Sequence, residues 1–379
     1  MSESSILWVG GSSALARTYF EEVHPARGLS KIIVAAPELP PWPFPEGVTF
    51  APLDLASEES IRSLFTRSLK INTLVLSVRL SLVWAKPQEH ARLVQHLDLL
   101  LRCAADAGCT SVLHISSIAV ADHVETQHMI RESDPLPPLE QIKSPYDRFK
   151  LESEHAVDRV CSADSRVHVW THLRLSGIFS NDPRCIQCSA IRNQALVSLK
   201  TPVAIDFNSS KNASHAMALV LQRQMLRSGS YSGRHLFFYT RGTLSPVPYW
   251  THVADYRRAN GIWYGLMLPG WIGEVAVPVM RAAMRAAGTD LAGSLDYLMA
   301  VASHEHSADN SLFRSSFPEI ARVEETILEC FQRLRVRNEG KGGDAKQNAS
   351  SSVWMLGGAI IALLVLMIVV NMAVASSSP

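Results

Sequence analysis

The stretch SPYDRFKLESEHAV, residues 144–157, sets a phenol and an ammonium four places apart at Tyr146 and Lys150. A phenol titrates at about 10 in water. A neighbouring ammonium favours the phenolate, bringing it toward a range useful for taking a proton from an alcohol as hydride leaves. A serine hydroxyl can hold the same substrate oxygen, and Ser116 and Ser117 close the apolar run SVLHISS upstream. The spacing alone is cheap, so placement must carry the reading. Ser144 reads as a helix N-cap, Pro145 as the first helical residue, and Asp147 completes a Ser-x-x-Asp capping pattern. A helix starting here puts Tyr146 and Lys150 on one face. Ser116 and Ser117 are both candidates for the hydroxyl partner.

Other reactive groups carry less. Cys185 and Cys188 form a Cys-x-x-Cys, but no second pair completes a zinc site and no redox-type context surrounds it. Ordinary thiols and no bound metal are expected. His304, Glu305 and His306 are adjacent residues, which do not face one ligand on a helix, so a solvated face is the better reading.

The elements that must position the pair alternate in type. Short apolar or β-branched runs occur at residues 5–11, 31–36, 48–54, 73–78, 111–117 and 167–179, with helical patterns such as EESIRSLFTRSL and HARLVQHLDLLLRCAADAG between several of them. Such alternation predicts α/β architecture: a Rossmann-type, doubly wound parallel sheet with a smaller C-terminal substrate part. Sites in such sheets lie at the carboxyl ends of the strands. After the first run comes VGGSSALAR, where Gly10 and Gly11 supply a tight turn at which a pyrophosphate could approach the following helix. Two glycine registers remain open. One puts Ser13 and Ala16 where further glycines belong, the other Ala14 and Ala16; small residues permit close approach in both. Asp54, ending the third run, could meet an adenine edge or cap the helix beginning near Ser57. After the second run the first acidic residue is Glu38, two places late for a ribose, which leaves NAD and NADP both open.

Composition excludes other classes. With 36 basic and 35 acidic residues the net charge is +1, so no nucleic-acid surface or polyanionic substrate is indicated. Six cysteines in 379 residues fit a reduced compartment. From Val353 to Ala375 the chain carries no charge, about 35 Å of helix and enough to span a bilayer with some tilt. The preceding linker holds Arg333, Arg335, Arg337, Lys341 and Lys346 against Glu339 and Asp344, so the large N-terminal part is expected in the cytosol. The first apolar stretch, ILWVGG, is short and lacks a basic flank, so no secretory signal is expected. A further apolar segment from Gly261, GIWYGLMLPGWIGEVAVPVM, is broken by Pro269, Gly270, Glu274 and Pro278. It reads either as a lid for a lipophilic substrate or as domain core.

Over roughly residues 5–335 the sequence resembles the 3β-hydroxysteroid dehydrogenases and sterol-4-carboxylate 3-dehydrogenases (decarboxylating), within the extended short-chain dehydrogenases. HISSIAVADHV looks like the family's strand-end serine motif, ESDPLPP its acidic-proline loop, SPYDRFKLESE its Tyr-x-x-x-Lys segment and LRLSGIFSND its Leu-Arg-Pro-x-x-Ile-Tyr-Gly stretch. DFNSSKNASHAMALVLQ resembles the Asn-containing element and the helix with His215, and GRHLFFYTRGTLSPVPYW the later strand and turn. The resemblance implies Tyr146 as acid/base, Lys150 as its activator and Ser117 as partner, with Gly10, Gly11, Ser13, Leu15, Asp54, Tyr146 and Lys150 at the cofactor. Departures are the missing glycines, Leu93, His96, Leu97 and Leu99 where the family has Asn, Gly, Thr and Asn, and Leu175 for the usual proline.

The expected organisation is a dinucleotide-binding domain over 1–180, a substrate-binding part over 181–332, a basic linker over 333–352 and a tail anchor over 353–375. The expected function is NAD(P)-dependent oxidation of a 3β-hydroxyl on a sterol, steroid or triterpenoid-like molecule, NAD being favoured, with decarboxylation where carbon 4 bears a carboxylate. Non-redox 3-ketosteroid isomerisation on the same fold, or a cofactor-free scaffold or sensor, are the alternatives. The expected partners are a lipophilic substrate, the endoplasmic reticulum bilayer and a second copy in a homodimer, with no nucleic acid.

Overall fold

The computed structural model describes residues 5–24, 31–66, 70–78, 87–121, 129–142, 144–180, 185–193, 195, 197–200, 204–226, 231–240, 247–263, 265–269 and 307–339. The chain forms two compact units. The first comprises Met1–Cys185, Ile205–Pro246 and Glu305–Thr326; the second comprises Ile186–Ala204, Val247–His304 and Ile327–Pro379.

The first unit is built on seven parallel strands: β1 (Ile6–Val9), β2 (Ile32–Ala36), β3 (Val48–Pro52), β4 (Thr73–Leu76), β5 (Ser111–Ser117), β6 (Val169–Leu175) and β10 (Gly233–Tyr239), in the order β10-β6-β5-β4-β1-β2-β3. Two further strands, β7 (Gly177–Phe179) and β9 (Phe207–Ser209), pair with each other. Strand alternation divides the apolar residues between two faces, as a period of two requires. Ile6, Trp8, Ile32, Val34, Leu113, Ile115, Leu173 and Leu175 join one buried cluster. Leu7, Val9, Ile33, Ala35 and Val112 join the other. Helix α1 (Ala14–Thr18, continuing as a π-helical turn Tyr19–Val23) and α6 (Ser210–Leu226) cover the first face. Helices α2 (Glu58–Phe65), α3 (Pro87–Asp106) and α4 (Pro145–Ala163) cover the second. The sheet is therefore doubly wound.

A contiguous division at residue 180 does not describe the contacts of the chain. After β9 it crosses over through α6 and returns as β10, which pairs in register with β6, Gly233 opposite Val169 and Tyr239 opposite Leu175. An apolar strand edge at β6 is covered this way, and a parallel partner requires a helical crossover. The short helix α8 (Ser311–Ser316) then packs Phe313 4.7 Å from the ring of Tyr239.

The second unit contains α5 (Ile186–Asn193), β8 (Val197–Lys200), α7 (Tyr249–Ala259), β11 (Leu266–Pro269) and α9 (Ile327–Glu339), with β8 and β11 parallel. Among the described residues no helix is long and apolar enough to cross a membrane. The apolar stretch 353–375, the linker beyond residue 339, the residues 304–306 and the apolar segment beyond Pro269 lie outside the described residues.

Candidate functional site

The turn after β1 is fixed by close backbone approach. Gly10 has φ +81°, and a Cβ there would lie 2.4 Å from the carbonyl oxygen of Ser77, just past β4. Both the left-handed backbone and the contact demand glycine. At Gly11 a Cβ would lie 2.5 Å from Val34 Cγ1, so glycine here lets α1 approach the sheet. Ser13 is the N-cap of α1, its Oγ accepting from the N–H of Ala16 at 3.2 Å. Leu15 turns its side chain into the core, so it can offer a ligand only its backbone. Ala16, fully buried, serves the helix–sheet contact with one methyl.

Tyr146 and Lys150 lie one turn apart in the first two turns of α4. Ser144 caps α4, its Oγ accepting from Asp147 N–H at 3.3 Å, and Pro145 opens the helix. Lys150 is buried, and its Nζ donates to the carbonyls of Val78 and Ile115, both at 2.9 Å, at the ends of β4 and β5. The same Nζ lies 5.9 Å from the centre of the Tyr146 ring. The segment Ser77–Val78 thus touches the Gly10 turn on one side and holds Lys150 on the other. Ser116 and Ser117 differ sharply. Ser116 is buried and donates to Glu154 Oε1 at 2.5 Å. Ser117 is half-buried; its Oγ accepts from Ala119 N–H at 3.2 Å and keeps its own hydrogen for another acceptor.

Sequence reasoning missed what lies beneath the pair. Tyr146, Lys150, Glu154 and Asp158 follow one another at four-residue spacing along α4, and the last three each meet a polar partner on the sheet. Glu154 takes both Arg174 Nε at 2.9 Å and Arg174 Nη2 at 2.7 Å, with both side chains 1 % exposed. Burial alone would raise the Glu154 carboxyl, but the Arg174 hydrogen bonds and charge hold it at about 2. Asp158 accepts from His172 Nε2 at 2.9 Å, Trp170 Nε1 at 2.7 Å and Arg234 Nε at 2.9 Å. Against its burial, these partners keep its carboxyl well below the carboxylate range. His172 Nδ1 in turn lies 3.0 Å from His114 Nδ1. Burial, then the charges of His172 and Lys150, drive His114 well below the usual imidazole value. His114 faces His172 and Ser116 faces Arg174 in the β5–β6 register, so the seam is built rung by rung.

The remaining expectations are dispersed. Asp54 is exposed beyond β3, at the far edge of the sheet, and its Oδ1 accepts from Ala56 N–H at 2.8 Å. Ser57, rather than Asp54, caps α2. On α3, Leu97 is core and Leu93 and Leu99 pack against it, while His96 Nδ1 lies 2.6 Å from the carbonyl of Leu55. Apolar packing here takes the place of the polar groups that the resemblance would require. His215 lies on α6. None of the six cysteines, all among the described residues, is in a disulfide.

A dinucleotide at this edge would meet backbone rather than side chains. The Gly10 turn brings the chain hard against Ser77, and the first turn of α1 carries N–H groups that no intrahelical carbonyl can take. Ser13 narrows the approach, because its hydroxyl already caps Ala16.

No protein-family model matches the chain, and no curated protein sequence matches it. Among solved structures it is similar to the terminal R domain from the myxalamid PKS-NRPS biosynthetic pathway, with a TM-score of 0.67 and 16% identity over 90% of this chain and 92% of that one. It is also similar to UDP-N-acetylglucosamine 4-epimerase from Bacillus cereus, with a TM-score of 0.60 and 14% identity over 88% and 98%. A short-chain dehydrogenase/reductase superfamily protein from Agrobacterium tumefaciens with bound NAD gives 0.60 and 14% over 89% and 99%. At such identities the likeness shows the fold alone.

Proposed function

We propose that the chain is a nicotinamide-dependent oxidoreductase that oxidises the 3β-hydroxyl of a sterol, steroid or triterpenoid-like substrate. The observation that carries this reading is the Tyr146–Lys150 pair on one face of α4, with Lys150 Nζ bonded at the ends of β4 and β5 beside the Gly10 turn. Gly10, Gly11, Ser13 and Leu15 would hold the pyrophosphate through their backbone, with Asp54 at the adenine edge. NAD is favoured over NADP because residues 37–46, after β2, contain no lysine or arginine, and Arg17, whose guanidinium lies 5.6 Å from the Trp42 ring, is already paired with Glu21 at 2.7 Å. A bound nicotinamide would supply the acceptor for the hydride of the carbinol carbon.

The chain's own groups manage the proton. Tyr146 takes the hydroxyl proton onto its phenolate oxygen, and the fixed ammonium of Lys150 stabilises negative charge there beforehand. Ser117, with a hydrogen to give, holds the substrate oxygen. A carboxylate on carbon 4 then stands β to the new ketone and leaves as CO2 without a further protein group. The apolar stretch 353–375 anchors the chain in the endoplasmic reticulum membrane, where such substrates dissolve, and the arginines before it keep the catalytic unit cytosolic.

One observation favours a second reading, a cofactor-free scaffold. Lys150 gives two N–H groups to backbone carbonyls and Ser13 caps its own helix, so both polar anchor points have internal partners. Calorimetric titration of the chain and of Tyr146→Phe with NAD+, NADH, NADP+ and NADPH separates the two. The redox reading expects micromolar binding of one nucleotide by both proteins and turnover of a 3β-hydroxysterol that falls at least about 100-fold in the variant. A folded chain that binds none of the four sinks it.

A further inference from the structure

The second unit ends in an unusual surface. α7 and α9 pack together, Tyr256 edge-on to Phe331 at 5.3 Å, and Arg335 Nη1 donates to the carbonyl of Ala259, the last residue of α7, at 3.2 Å. The two helices therefore end side by side. At that end stand Trp263, 91 % exposed, and Val336, 66 % exposed. Trp263 is the most exposed large hydrophobic side chain among the described residues. Arg258, near the end of α7, and Arg335, near the end of α9, are exposed as well. An exposed indole and valine at the end of a helix pair that also carries two exposed guanidinium groups match the composition of a membrane interface: indole prefers the headgroup level and guanidinium grips phosphate.

We infer that this end of the α7–α9 pair docks on an anionic phospholipid surface, Trp263 and Val336 entering the headgroup layer and Arg258 and Arg335 meeting lipid phosphates. The inference rests on the reading of residues 353–375 as a membrane anchor. That stretch follows α9 closely in sequence, and an extended tether from Glu339 to Val353 spans at most about 50 Å. The chain leaves α9 at the same end that carries Trp263, so the anchor would hold this surface near the bilayer at high effective concentration. Charge complementarity selects anionic lipid over neutral lipid.

The test uses the full chain in vesicles of phosphatidylcholine with or without phosphatidylglycerol, prepared with brominated acyl chains that quench nearby indole fluorescence. Flotation reads the anchor, and the difference between the chain and Trp263→Phe isolates the Trp263 signal from the other tryptophans. Flotation with both lipids is expected, together with quenching of the Trp263 signal in anionic vesicles that 1 M salt removes, since the Debye length then falls to about 3 Å. Arg258→Gln should lower the ratio of docked to undocked surface about fivefold. A chain that floats while its Trp263 signal stays unquenched overturns the surface and leaves the anchor standing. Should that unquenched state sediment as a dimer instead, a second copy covers the patch and the lipid assignment is equally wrong. Failure to float removes the anchor and the inference with it.

Discussion

Replacing Glu154 by Gln keeps the shape of the side chain and removes the only carboxylate bonded to Arg174 among the described residues. Both partners are 1 % exposed, so water cannot substitute for the lost charge. Removing one partner of a buried ion pair costs about 3–5 kcal/mol, because the other charge stays buried without compensation. Gln retains one oxygen for Arg174 or Ser116, which places the expected loss near the lower end, about 3 kcal/mol. In a unit of this size each kcal/mol moves the midpoint by roughly 2–4 °C, so a fall of about 6–12 °C in thermal unfolding followed by circular dichroism is expected. Adding Arg174→Met should recover at least half of the loss, a coupling that only directly interacting residues show. The acid limb gives an independent reading. Glu154 is held at about 2 against an ordinary 4.5, so its folded value is depressed. Its stabilisation is complete above the ordinary value and is lost as pH falls through about 2, and the variant should lose that part of the acid sensitivity. A single variant within about 1 kcal/mol of the parent, with an unchanged acid limb, would refute the dry, charge-paired seam.

The glycine turn can be tested by contrast. Gly10→Ala meets both a φ of +81° and the Ser77 carbonyl, whereas Gly47→Ala meets a φ of +84° with nothing within 4 Å. Urea titration should show Gly47→Ala losing about 1–2 kcal/mol and Gly10→Ala clearly more, by another 1–3 kcal/mol, with nucleotide binding lost in the latter alone. His114, held neutral well below the ordinary 6.5, predicts that stability falls as pH drops below about 6.5, where the unfolded chain binds a proton that the folded chain refuses. The slope from this group approaches about 1.4 kcal/mol per pH unit, His24 and His235 adding the same sign, and His114→Phe should flatten it. Burial pushes the Cys109 thiol up to about 12, so it should resist disulfide reagents until the chain is denatured.

The runs of apolar and β-branched residues located β1 to β5 within two residues at each end, because a strand covered on both faces must be apolar almost throughout, while the run at 167–179 took in β6 and β7 together. The cap at Ser144 and the helix behind it were legible for a similar reason: capping is local chemistry, written in adjacent residues. Asp54 was less legible. Whether a carboxylate at a strand end caps a helix, turns back on its own backbone or faces a ligand depends on three residues of loop path, and the path gave the cap to Ser57. The return of the chain through α6 and β10 was illegible as a matter of division, since GRHLFFY reads as a strand in either unit and only its register with β6 assigns it.

The polar seam shows how far spacing alone can go. Tyr146, Lys150, Glu154 and Asp158 could have been seen as one stripe in the sequence, but a charged stripe on a helix ordinarily means a solvated face. What reverses that reading here is the pairing of His114 with His172 and of Ser116 with Arg174 on two neighbouring strands, which sets a polar rung opposite each charged turn of the helix. A helix with one polar face turned inward can be seated in only one register, because a shift by one residue would bury Glu154 or Asp158 against an apolar partner. The seam therefore fixes the rotation and height of α4, and with them the place at which Tyr146 and Lys150 meet the ends of β4 and β5. Precision at the top of the helix derives from charges at its middle, which is why substitutions well below Tyr146 are expected to disturb the proton chemistry without touching a substrate.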